Sequence, residues 1–254
     1  MEIEKRGQRM ILVVGCGFVG ETVARSLEAD EQTVTRIDPK YNDNKISDYL
    51  TQVKGAVVAV PTPTVDGKCD DSAIRQVLAE LGNMPVLLKC TVPPYMLETY
   101  GPNVTYNPEF LRAKTAEEDF ANQQHFILGG TQMQCFFWEQ IFSYLDVEFI
   151  TTDRTTASMV KYVHNNWLAL KVAFFHEIFY NVGDKYNHEA MTDILSKFEN
   201  IGPSHMTAPN DEGLLGFGGH CFPKDTEAFY EFTCSDIVKQ MIETNSRLRE
   251  QSSE

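Results

Sequence analysis

The chain has 254 residues, 43% hydrophobic and 23% charged, and its 22 Lys and Arg face 36 Asp and Glu for a formal net charge of −14. A polyanion without a basic cluster is repelled by nucleic acid and anionic membrane, and no apolar run approaches the ~20 residues that span a bilayer. The six cysteines form neither a CxxC pair nor a Cys/His metal spacing, so nucleic-acid binder, membrane protein, metal module and disulfide scaffold give way to a soluble protein of a reducing compartment, the cytoplasm.

Glu4–Arg9 reads as a short basic leader, and Met10–Gly15 (MILVVG) as a buried strand. Phe18–Ala29 then carries Val19, Val23, Ala24 and Leu27 at helical spacing. Thr33–Ile37, Ala56–Val60 and Val86–Lys89 read as further strands, and Val104–Tyr106 and Phe126–Leu128 can supply two more. Short β-rich runs alternating with helical patterns predict an α/β fold, a Rossmann-type and mostly parallel sheet covered on both faces. In such sheets ligands bind at the carboxyl ends of the strands.

The texture changes after Phe149. Thr155–Lys185 contains no proline and reads as one long helix, with Met159, Val160, Val163, Trp167, Phe174, Phe175 and Ile178 on more than one face. Such a helix either packs inside its own chain or pairs with a second copy. A helix over Ala190–Phe198, an irregular stretch over Asn200–Pro223 and helices over Asp225–Phe232 and Ser235–Glu250 follow. The reading is a dinucleotide-binding domain over residues 1–150, then an all-helical domain with a long central helix over 151–254.

Gly15-Cys16-Gly17-Phe18-Val19-Gly20 follows a strand and opens a helix. Gly15 permits the tight turn, Gly17 lets a pyrophosphate approach the backbone, and Gly20 allows close helix–strand packing, with Phe18 and Val19 in the same cofactor-binding turn. Asp38 ends the second strand, where a carboxylate accepts from a ribose diol and repels a 2′-phosphate. That favours NAD over NADP, with only the nearby Lys40 leaning the other way.

Three further residues carry chemistry. Cys221 lies in a glycine-rich turn just before Pro223, near a helix start expected at Asp225, where a thiolate is favoured and accessible. A lone cysteine is otherwise a small buried hydrophobe, the reading kept for Cys16, Cys69, Cys90, Cys135 and Cys234. Lys161 and Asn165 are four apart on the long helix, so they share a face and can together hold an oxyanion. His164 lies off that face and reads as structural.

Five stretches occur in a specific order: Val60-Pro61-Thr62-Pro63-Thr64, Lys89-Cys90-Thr91-Val92-Pro93, Tyr106-Asn107-Pro108-Glu109-Phe110-Leu111-Arg112, Lys161-Tyr162-Val163-His164-Asn165, and the run from Gly216 through Cys221 to Asp225. With them the chain resembles the UDP-glucose/GDP-mannose dehydrogenase family. The resemblance implies two successive NAD-dependent oxidations of a sugar C6 alcohol to a carboxylate, with UDP-glucose the leading substrate and Cys221 carrying a thiohemiacetal and then a thioester. It implies that Lys161 and Asn165 contact the C6 oxygen and that Glu109 serves as a base. Thr91 and Asp225 would order the hydrolytic water, Thr62 and Thr91 touch the cofactor, and Phe110, Leu111 and Gly218 bind substrate. Asp225 can equally cap the following helix, and the two roles can coexist. No metal is implied. A homodimer is, through the long helix.

The same resemblance marks departures. The chain stops at Glu254, where the family continues into a third domain over the substrate nucleotide, so the expectation is a short form without that UDP-binding domain. Ala113 replaces the second glutamate of the Phe-Leu-x-Glu stretch, and Asn200 replaces an arginine of the substrate loop. Two other functions compete: a two-electron NAD-dependent alcohol or hydroxyacid dehydrogenase using Lys161 and Asn165 without a thioester, and a non-catalytic NAD or nucleotide-sugar-binding module.

Overall fold

The computed structural model describes residues 10–65, 68–219 and 221–252. The expected leader Glu4–Arg9 and His220 lie outside the described residues. The chain divides into two compact units, one of residues up to Pro63 with Cys69–Lys161, the other of Thr64–Lys68 with Tyr162 onward. The main division thus falls inside the long helix rather than near residue 150.

In the first unit, β1 (Met10–Val14), β2 (Val34–Ile37), β3 (Val53–Val58), β6 (Val86–Leu88), β7 (Val104–Tyr106), β8 (His125–Gly129) and β9 (Glu148–Thr152) form a seven-stranded sheet. Its order is β2-β1-β3-β6-β7-β8-β9, and every neighbouring pair is parallel except β7 with β8. The remaining strands β4 (Thr64–Val65) and β5 (Lys68–Cys69) make a separate two-stranded ribbon that the sequence pattern did not predict.

The sheet is mostly parallel because its strands are apolar on both faces. Ile11, Val13, Val57 and Leu87 pack with Val23, Ala24 and Leu27 of α1 (Phe18–Ala29) on one side. Leu12, Val14, Ala56, Val58, Val86 and Leu88 pack on the other side with Ile74 and Leu81 of α2 (Ser72–Leu81) and Leu97 of α3 (Pro94–Leu97). Alternate residues feed alternate faces, and each fully buried Ile, Leu or Val contributes about 1.5–3 kcal/mol. Phe120 of α4 (Ala116–Ala121) and Trp138 of α5 (Gln132–Ile141) complete the α1 side. β9 escaped the pattern because it is a half-exposed edge strand, Glu-Phe-Ile-Thr-Thr.

The long helix α6 runs from Arg154 to Val182 and ends in a 3-10 turn, Gly183–Lys185. Its start belongs to the first unit: Ala157 joins the core there and Ser158 donates to the Val92 carbonyl at 2.6 Å. In the second unit α6 is followed by α7 (His188–Leu195), α8 (Cys221–Thr233) and α9 (Asp236–Gln251). Ala169 and Ala173 of α6 pack with Phe217, Val238 and Met241, and Tyr162 stacks on Phe229 at 6.1 Å.

The structure departs from two expectations. α8 begins at Cys221 and not at Asp225, because Pro223 falls in the first helical turn, where its missing N–H costs nothing. Asp225 therefore lies one turn inside the helix and is not its cap. The pair Phe174–Phe175 also divides: Phe175 is buried, whereas Phe174 joins Val160, Val163 and Trp167 in an exposed apolar stripe, with Trp167 61% exposed. Among the described residues no helix is long and apolar enough to cross a membrane, and no group of three His, Cys, Asp or Glu side chains could hold a metal ion.

Candidate active site

The glycine turn comes first. Gly15 has φ +87°, and a Cβ there would lie 2.5 Å from the Ala59 carbonyl oxygen. A Cβ on Gly20 would meet the Gly15 oxygen at 1.9 Å, so both positions admit only glycine. At Gly17 nothing lies within 4 Å of that point, which leaves the open approach a diphosphate requires. Gly17 is the N-cap of α1 with no side-chain cap, leaving the first N–H groups of the helix to face an anion. Phe18 and Val19 stand in that first turn, Phe18 exposed and Val19 half-buried.

Asp38, just past β2, accepts from the Cys16 N–H (2.7 Å) and the Lys40 N–H (2.9 Å). Its carboxylate thereby sits beside the glycine turn, where a ribose diol would be received. Burial, then the Asp38 charge, pushes the Cys16 thiol up to about 11, so Cys16 stays neutral and inert. Past β3 and β6, Thr62 donates to the Thr91 carbonyl at 2.9 Å, bringing together the two threonines expected at the cofactor. These residues fit a dinucleotide: a glycine turn with open space, a helix N-terminus and a fixed acid at the end of the second strand.

A second cluster lies past β7. Glu109 is 8% exposed and Lys161 3% exposed; the Lys161 ammonium donates to the Glu109 carbonyl oxygen at 2.5 Å and stands 3.5 Å from its carboxylate. The other carboxylate oxygen accepts from the Leu111 N–H at 2.8 Å, so the amide of this expected substrate-binding residue is engaged within its own loop. Phe110 is partly exposed with the Lys161 ammonium 5.2 Å from its ring centre.

Sequence reasoning gave no role to Lys89, yet it is buried and its ammonium donates to the Asn107 side-chain oxygen, whose amide in turn donates to the Ile127 carbonyl at 2.7 Å. The Phe120 and Phe126 rings flank it at 5.9 and 5.6 Å. Burial lowers Lys89 to about 8, against the opposing pull of Glu109. The available signal was a lysine ending a fully apolar strand.

In the second unit, the Asn165 amide donates to the Asp225 carboxylate at 2.7 Å, and the Lys224 ammonium donates to its other oxygen at 2.7 Å. Asp225 is 1% exposed and Asn165 5%. His164 meets the Asn165 side-chain oxygen at 3.1 Å, a supporting contact. Cys221, half-buried, is the first residue of α8, so its sulfur stands at a helix N-terminus with Asp225 one turn further along the same face. Gly218 lies against the Arg249 guanidinium, where a Cβ would approach to 3.3 Å.

Residues 155–247 match the model of the UDP-glucose/GDP-mannose dehydrogenase family, central domain. UDP-glucose 6-dehydrogenases of Rickettsia conorii and Rickettsia prowazekii are 28% and 30% identical over 94% and 93% of this chain. The chain spans 58% and 57% of their lengths. A UDP-glucose dehydrogenase from the hyperthermophilic archaeon Pyrobaculum islandicum superposes with a TM-score of 0.81 at 24% identity, over 97% of this chain and 70% of its own, a likeness of fold.

Proposed function

We propose that this chain, related to the UDP-glucose/GDP-mannose dehydrogenase family through the central domain at residues 155–247, is an NAD-dependent nucleotide-sugar 6-dehydrogenase. UDP-glucose is its leading substrate, and the C6 alcohol becomes a carboxylate. The observation that carries the reading is the arrangement on α8, a cysteine at the helix N-terminus one turn from a buried aspartate that is bonded to Asn165. A pure binding module needs none of these three.

Gly15, Gly17, Phe18, Val19, Gly20, Asp38, Thr62 and Thr91 would hold NAD, which when bound would supply the hydride acceptor, one NAD molecule for each of the two oxidations, while a base or water relay takes the hydroxyl proton. Lys161 and Asn165 donate to the C6 oxygen as negative charge builds on it, where low dielectric makes each donor worth more than in water. Cys221 adds its thiolate to the aldehyde carbon and so prevents escape of a free aldehyde between oxidations. Glu109 takes a proton from the water that cleaves the resulting thioester, with Thr91 and Asp225 orienting that water; the products are the acid and the regenerated thiol. Phe110, Leu111 and Gly218 hold the substrate.

The exposed stripe of Val160, Val163, Trp167 and Phe174 supports pairing of two copies through α6. None of the six cysteines is in a disulfide, which fits a cytoplasmic setting.

The test is incubation with NAD and a panel of nucleotide sugars. Two NADH per acid formed are expected, and Cys221→Ser should stall after aldehyde formation. One NADH per turnover, undiminished in Cys221→Ser, would replace this reading with a two-electron dehydrogenase. Tight NAD binding with no NADH from any sugar would replace it with a binding module.

A further inference from the structure

The chain approaches Cys221 through Gly216 and Phe217, and two side chains from different helices grip that backbone. His176 of α6 is 2% exposed. Its Nδ1 accepts from the Gly216 N–H at 2.9 Å, and its Nε2 meets the Thr207 carbonyl oxygen at 2.7 Å. Asn245 of α9 grips the next residue at both ends: its Oδ1 accepts from the Phe217 N–H at 2.6 Å and its Nδ2 donates to the Phe217 carbonyl at 3.1 Å. The fit leaves no slack. Gly216 has φ +77°, and a Cβ there would lie 2.5 Å from Asn245 Oδ1. Phe217 is buried in the core of this unit and packs edge-on against Phe222, the residue after Cys221, at 6.2 Å.

The chemistry of the partners fixes the state of the His176 ring. A backbone N–H can only donate, so Nδ1 must be bare; a carbonyl can only accept, so Nε2 must carry the proton. Only the neutral Nε2–H tautomer satisfies both. A protonated ring would turn a second N–H donor against the Gly216 N–H and break that contact.

We propose that His176 and Asn245 are positioning residues for Cys221, two clamps on Gly216 and Phe217, and that the His176 clamp closes only on a neutral ring, so that the approach to Cys221 loosens in acid. The consequence for catalysis rests on Cys221 being the nucleophile; the clamps themselves do not. Burial lowers the His176 pKa below its ordinary 6.5, in the sense the geometry demands. The charge-bearing group that acts on the ring is His188 of α7, itself bonded to the Met206 carbonyl and the Tyr186 hydroxyl; the Glu177–Arg247 ion pair starts at the next residue of α6, and Arg249 packs beside Gly216. With the closed ring neutral and an open ring titrating near 6.5, opening is favoured about tenfold more at pH 5.5 than at pH 7.5.

Hydrogen exchange of the Gly216 and Phe217 amides, corrected for the intrinsic pH dependence, reads this directly. In the unaltered protein, protection should fall about tenfold between pH 7.5 and 5.5. His176→Gln can accept and donate as the neutral ring does but cannot titrate, so it should keep protection at both pH values; His176→Asn serves if the glutamine variant does not fold. Asn245→Ala should lose protection equally at both. A pH-independent protection in the unaltered protein, or an undiminished pH effect in His176→Gln, overturns the proposal. If the enzyme turns over, the acid limb of kcat should flatten in His176→Gln, and an unaltered limb would refute the link to Cys221. If no nucleotide sugar yields NADH, the catalytic reading fails while the exchange result still decides the clamps.

Discussion

The buried Asn165–Asp225 hydrogen bond is the contact on which the chemistry proposed for the second unit depends, and its strength can be worked out in advance. Asp225 accepts from Asn165 and Lys224, both at 2.7 Å, but the Lys224 side chain is 26% exposed and can turn to water. Asn165 cannot. Asp225→Ala removes the carboxylate and strands one buried amide N–H, at a cost of about 1–3 kcal/mol plus the cavity left behind. Asn165→Ala leaves a buried carboxylate with Lys224 as its remaining side-chain partner, at a cost of about 1.5–3 kcal/mol for a hydrogen bond to a charged group. Since each single change already destroys the contact, the double variant should cost less than the sum by about 1.5–3 kcal/mol. Thermal and urea unfolding of all four proteins provides the cycle, and each single variant should melt roughly 2–12 °C lower at about 2–4 °C per kcal/mol. Additivity within about 0.5 kcal/mol would show that the two side chains do not act as a pair, and the argument for Asp225 as an ordering group would fall with it.

Lys89 predicts a pH dependence of stability. Burial lowers its pKa from 10.5 to about 8, so between those values the unfolded chain binds more protons than the folded one and stability rises with pH. The gain should be about 2 kcal/mol from pH 7.5 to 9.5, read as a urea midpoint, and should vanish in Lys89→Met; an unchanged slope in that variant would assign it to other groups. Gly20→Ala forces a methyl to within 1.9 Å of the Gly15 oxygen, so calorimetry should show NAD affinity reduced at least tenfold, and retained affinity would refute the packing argument. On the proposed pairing through α6, Trp167→Ser with Phe174→Ser should leave only monomer in sedimentation without lowering its melting temperature, because both side chains are exposed, and a persisting dimer would refute that pairing.

What the sequence disclosed follows from how locally each feature is encoded. α1 runs from Phe18 to Ala29 as its periodicity predicts, and β1 reads clearly because both its faces are buried. β9 is half-exposed at the sheet edge and leaves no such run, while Pro223, read as a helix breaker, sits in the one turn that tolerates it. Long-range pairings carry no local signal. The four-residue spacing of Lys161 and Asn165 suggested that both serve one oxyanion, but nothing in the spacing reveals that each already has an acceptor. For Lys161 that acceptor is the Glu109 carbonyl oxygen, and for Asn165 it is the Asp225 carboxylate. A buried donor without a partner costs about 1–3 kcal/mol, so the fold supplies each of these two donors with an acceptor. On the proposed function, a substrate oxygen would engage Lys161 or Asn165 only by sharing or displacing those acceptors. The resting contacts would then cost binding energy with the alcohol and give it back as charge develops on the oxygen, when it becomes the stronger acceptor.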